Sequence, residues 1–218
     1  MTIMKRRKAL RATAYAVAVL ALAVNAHAGV VTGSVWLYTA SPENFNPLDA
    51  SVAPTGAPDA QFYTTDINYD TRITGSELAA FLGNPTFFNT SGTWNPSYNV
   101  QYYVYMEFTG SVHLNSGDNS FSVLHDDGAI LTFPALNGGS PVVNKPDQSA
   151  PTESPFTVTA PSGGEYSFVL DYTECCSLPA VLEWTINGDP VGVPEPGSFQ
   201  LILGALMVGI GGLYRKLA

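Results

Sequence analysis

The sequence predicts an all-β fold, a single β-sandwich of jelly-roll type with one short helix, and three observations carry that reading. Between residues 29 and 192 the chain consists of short runs rich in Val, Ile, Tyr, Phe and Thr, separated by Gly, Pro and Asn. Several runs alternate apolar and polar residues with the period of two that a half-buried strand needs. Helical periodicity is confined to Leu78 to Leu82. A stretch of about 165 residues is long enough for one domain with a well-buried core.

In chain order, the first residues are an export address. Lys5, Arg6, Arg7, Lys8 and Arg11 form a basic region, Ala12 to Val24 is apolar, and Ala26-His27-Ala28 has the small-x-small pattern of a cleavage site. Residues 1–28 are therefore expected to be removed as a signal peptide. Val30 to Tyr38 reads as the opening strand. Ser41 to Ala60, broken by Pro42, Pro47, Pro54 and Pro58, reads as an irregular surface segment, and Gln61 to Thr65 as a second strand. Thr74-Gly-Ser-Glu77 matches a capping box ahead of Leu78 to Leu82, with Gly83 placed to stop the helix. After a loop, Gln101 to Thr109 alternates strongly and places Tyr102, Val104, Met106 and Phe108 on one face.

Phe121 to Leu124 and Ala129 to Phe133 flank His125-Asp126-Asp127-Gly128, which reads as a hairpin turn. Phe156 to Ala160, Tyr166 to Tyr172 and Val181 to Ile186 complete the strands. The last two align Tyr166, Phe168, Leu170 and Tyr172 on one face, and Leu182, Trp184 and Ile186 on another.

Charge narrows the function. Between Gly29 and Val193 two basic residues, Arg72 and Lys145, stand against seventeen acids. Such a surface repels phosphate backbones, so nucleic acid is excluded as a partner, whereas divalent cations are attracted. Once the leader is removed only His113 and His125 remain, with no Gly-x-Ser-x-Gly and no zinc-spaced cluster, so no catalytic constellation is offered.

Two stretches are candidate calcium sites. Asp126 and Asp127 are adjacent carboxylates, which converge on one ion only if the backbone between them is unusual or lies in a turn. A plain Asp-Gly turn is the other reading of the same residues. Asp66, Asn68, Asp70 and Glu77 fall on the ligand positions of an EF-hand loop, but its invariant glycine is Thr71 here and no entering helix precedes it. The only cysteines, Cys175 and Cys176, are adjacent, so in an oxidising compartment they either pair with each other or stay free. With Glu174 they form a candidate ligand loop.

Two family resemblances follow from quoted motifs. Val193-Pro194-Glu195-Pro196, the apolar run Phe199 to Tyr214, and Arg215-Lys216 resemble the PEP-CTERM sorting signal of Gram-negative bacteria. The resemblance implies a transmembrane segment over residues 199–214, transient retention in the inner membrane, an exosortase-type processing partner, and delivery to the cell surface or an exopolysaccharide matrix. At helical rise the run is about 24 Å long, short for a span.

Phe121 to Leu131, Gly164 to Glu174 and Val181 to Trp184 are similar to the β-sandwich family named after anthrax protective antigen, which includes the sugar-binding domains of yeast flocculins and adhesins. That resemblance implies a calcium ion held by Asp126 and Asp127 that coordinates sugar hydroxyls. The Asn that completes the adhesin site has no certain counterpart, and the partner cysteines of the adhesins' adjacent pair are missing. The expectation is a non-enzymatic, exported protein that binds a cell-surface or matrix polysaccharide through calcium; the alternative is a structural matrix or adhesion protein with no small ligand.

Overall fold

The computed structural model describes residues 30–38, 49–176 and 178–191. The predicted leader, residues 1–28, and the tail carrying Val193, Pro194, Glu195, Pro196, Arg215 and Lys216 lie outside the described residues. No described helix is long and apolar enough to cross a membrane.

Two antiparallel sheets face each other. The larger holds β1 (Val31–Leu37), β2 (Ala60–Thr64), β4 (Phe87–Phe88), β5 (Val104–Leu114), β7 (Ala129–Thr132), β8 (Pro141–Lys145) and β10 (Gly164–Glu174), in the order β4-β2-β1-β5-β10-β7-β8. The smaller has the order β12-β11-β6-β9, built from β6 (Gly117–Asp126), β9 (Thr152–Ala160), β11 (Val181–Ile186) and β12 (Asp189–Pro190); β3 (Asn68–Asp70) also pairs with β11. The expected β-sandwich is the observed architecture.

The alternating strands pack as their patterns require. Met106, Phe108, Phe168, Leu170 and Tyr172 of the larger sheet, with Val123, Leu182 and Trp184 of the smaller, belong to one buried core. The contact between sheets is direct: the Phe168 and Trp184 rings meet edge to face at 4.7 Å. Aromatic pairs in this geometry add to the stabilisation from burial alone.

The structure corrects three local expectations. Tyr102 does not belong to the core stripe: it is 61% exposed, Tyr103 has a positive φ, and β5 starts only at Val104. The capping box does not form. Asp70 caps a first helix, α1 (Thr71–Thr74), by accepting from Arg72 N, and the Thr74 hydroxyl donates back to Asp70 O at 2.9 Å. Thr74 thus closes α1 instead of opening α2 (Leu78–Phe81), whose N-cap Glu77 makes no side-chain capping bond. Third, His125 to Gly128 is no hairpin. Asp126 pairs with Val181 in the smaller sheet, whereas Ala129 pairs with Tyr172 in the larger. Ala129, Ile130 and Leu131 are all buried, so β7 is covered on both faces and takes β10 and β8 as neighbours.

This crossing places the site. β6 leaves the smaller sheet at Asp126 and β7 joins the larger at Ala129; beside it, the chain crosses back between Glu174 of β10 and Val181 of β11. The two crossings touch: Asp127 N donates to Thr173 O, and Thr173 N to Gly128 O. Gly128 has no positive φ, so turn geometry is not what selects it. A Cβ there would collide with Pro146 O and Thr173 Oγ1, so only glycine permits the approach.

Candidate metal and ligand site

Asp126, Asp127 and Glu174 meet where the two crossings touch, each presenting a carboxylate oxygen within 4.8 Å of the others. The Asp126-Asp127 peptide bond is cis. All three side chains are buried, Glu174 with no exposed surface. Among the described residues this is the group of acids, histidines and cysteines close enough to share an ion.

Asp127 is oriented from outside the cluster. Asp127 Oδ2 accepts from Cys175 N at 2.9 Å, and its Oδ1 from Ser149 N at 3.2 Å. Its carbonyl accepts from Ser149 Oγ and lies 2.6 Å from His125 Nδ1. A carbonyl only accepts, so Nδ1 carries the proton, and Nε2, 3.0 Å from Ser154 Oγ, takes the serine's hydrogen. Burial holds the His125 pKa below its ordinary value, which keeps the ring neutral. It is a strut for the crossing.

Glu174 lies against Tyr172, whose hydroxyl touches Asp126 O and stands 2.7 Å from Glu174 Oε2. A phenol has one proton and cannot donate to both, so one contact is completed by a proton on Glu174. Its other oxygen, Oε1, is buried with no hydrogen-bond partner.

The electrostatics follow from burial. Desolvation, with the charges of Asp127 and Asp126 added, pushes the Glu174 carboxyl up to about 10. Asp126 is pushed up to about 7 by burial and then by Asp127, with Arg72 opposing. Burial also raises Asp127, against the two amides that donate to it. Three carboxylates in one buried site cannot all stay ionised unless protons or a cation accompany them.

Cys175 and Cys176 are joined as a disulfide. Cys176 N donates to Gln101 O at 2.8 Å, and Cys176 lines a cavity of about 260 Å³ with Gln101, Tyr102 and Tyr103. The expected loop of Glu174, Cys175 and Cys176 is therefore split: Glu174 faces the acids, while Cys176 faces this groove.

The second calcium loop does not assemble. Asn68 and Asp70 are on β3, the Asp70 carboxylate is held by Arg72 Nε at 2.9 and 2.8 Å and Nη2 at 2.7 Å, and Glu77 bridges to Asn99. With Asp66 in the link between β2 and β3, the four side chains are spread over that link, a strand and two helix ends, which is not the single loop an EF-hand requires.

Sequence reasoning singled out Asp126 and Asp127 but missed Tyr172, Ser149 and Arg72 as their neighbours. Only Tyr172 left a trace, two positions before Glu174 on the same strand face.

The two-sheet sandwich is a fold already seen in solved structures, PA14 domains among them. No family model and no curated protein matches the sequence. The chain is similar to the PA14 domain of the MpAFP antifreeze protein, at 19% identity and a TM-score of 0.56, covering 78% of this chain and 88% of that one. It is also similar to the PA14 sugar-binding domain from an RTX adhesin, at 17% identity and a TM-score of 0.52, covering 76% and 98%. The likeness is one of fold.

Proposed function

We propose that this is an exported, non-enzymatic module that binds carbohydrate through a calcium ion held by Asp126, Asp127 and Glu174. The observation that carries the reading is the buried Glu174 Oε1, left without a hydrogen-bond partner beside two further carboxylates. An orphaned buried acceptor is costly, and a hard cation with oxygen ligands is what this donor set suits. Asp127 is already oriented by two amides, and each of its oxygens keeps a lone pair for an ion. When bound, calcium supplies open coordination positions for vicinal sugar hydroxyls. The sugar-binding PA14 domain from an RTX adhesin, similar in fold, supports the carbohydrate part of this reading.

The tail motif Val193 to Pro196 with Arg215 and Lys216 supports an exosortase-type partner, passage through the inner membrane, and a final place at the cell surface or in a matrix. Thermal melting of the full chain with calcium and with chelator tests the ion. At a hundred times the dissociation constant, stabilisation is about 2.7 kcal/mol. Asp126→Asn with Asp127→Asn is expected to abolish the shift. A glycan array in calcium and in chelator tests the sugar; spots that bind equally in both would sink the calcium-dependent reading.

A further inference from the structure

Two cations stand among the seventeen acids of residues 29–193, and the fold brings Arg72 within reach of Asp126 and Lys145 within reach of the neighbouring His125. Lys145 pairs with Ala129, two positions beyond Asp127, and its charge acts on His125. Arg72 is placed more sharply. Asp70 and Asp126 are both register partners of Val181, one from each neighbouring strand of β11. Residues directly opposite in antiparallel strands project from the same face, so Asp70, Val181 and Asp126 share one face, with the two acids about 10 Å apart at two strand spacings. Arg72 is clamped onto Asp70 through Nε and Nη2, and its charge reaches Glu183 and Asp126. The guanidinium is thereby held over the strip that leads to Asp126. Its side chain is 53% exposed, and Nη1 is not used by the Asp70 clamp.

Neutralising Asp70 alone does not require this placement, since any exposed position near that residue would serve. A domain this acidic also repels an anionic ligand everywhere except where its cations lie. A planar guanidinium with a free edge is suited to pairing with a carboxylate.

We propose that the site selects an acidic sugar: a uronate whose hydroxyls face the Asp126, Asp127 and Glu174 cluster and whose carboxylate is received by Arg72, with Lys145 adding a weaker attraction from the other side. This rests on the calcium-dependent carbohydrate reading and specifies its ligand class.

The test titrates the full chain, with calcium in excess, against matched pairs of methyl glycosides: galactoside and galacturonide, glucoside and glucuronide, mannoside and mannuronide. Calorimetry is expected to give about tenfold tighter binding for the uronide of the preferred pair, declining as salt rises. Arg72→Gln alone strands the buried Asp70 carboxylate, so the main variant is Asp70→Asn with Arg72→Gln, which removes the pair together; Arg72→Lys keeps the charge without the planar edge. In the double variant the uronide preference is expected to fall to near one, with neutral-glycoside affinity in saturating calcium retained. Equal affinity for both members of every pair, or a preference that survives the double variant, overturns the proposal. Calcium binding without binding of any of the six glycosides refutes the carbohydrate reading and this inference with it.

Discussion

Replacing Tyr172 by Phe removes the hydroxyl that touches Asp126 O and Glu174 Oε2, so one buried acceptor loses its donor and the Glu174 proton loses its acceptor. Each orphaned group costs about 1–3 kcal/mol, so the calcium-free protein is expected to melt several degrees lower in Tyr172→Phe, with part of the loss recovered on adding calcium. The pH dependence has a definite sign. Asp126 and Glu174 have folded pKa values raised by burial to about 7 and about 10, above their values in the unfolded chain. Their contribution is complete at pH below about 4, where both states are protonated, and is lost as pH rises through the folded values. In chelator, stability is therefore expected to fall from pH 5 to pH 9, and Glu174→Gln to flatten the upper part of that fall. With calcium bound the acids must be ionised, so the slope over the same range is expected to shrink or reverse in a melting series.

At the scale of elements, the two crossings decide what the acids can do. Gly128→Ala puts a methyl group against Pro146 O and Thr173 Oγ1 and is expected to cost about 1–3 kcal/mol while weakening the calcium shift, both read by melting. Breaking the disulfide with Cys175→Ser and Cys176→Ser is expected to change global stability by less than about 1 kcal/mol, because the loop it closes is minimal and the Asp127 contact comes from a main-chain amide. These elements also mark what was legible in the sequence. The strand cores showed through because Val104, Met106 and Phe108, or Leu182, Trp184 and Ile186, repeat with period two. The passage from β6 to β7 did not, since adjacent apolar runs look alike whether they pair with each other or with β11 and β10. Glu174 joining Asp126 was equally hidden: 48 residues separate them, and only the tertiary pairing of β6 with β11 and of β7 with β10 unites them. Asp126 and Asp127 were visible as an unusual doublet and Glu174 as part of the loop with Cys175 and Cys176, but not that Glu174 turns from that loop onto the doublet as a third carboxylate.

On the scale of the whole molecule, β11 links the site to the end of the described chain. It begins at Val181, opposite Asp126, and Val191 returns beside it, donating to Trp184 O and accepting from Ile67 N. That strand is bonded on one side to β6 over six register pairs and on the other to β3 and β12. Under the proposed function, β11 is therefore the element through which a ligand held at Asp126 and chain beyond Val191 would be mechanically coupled.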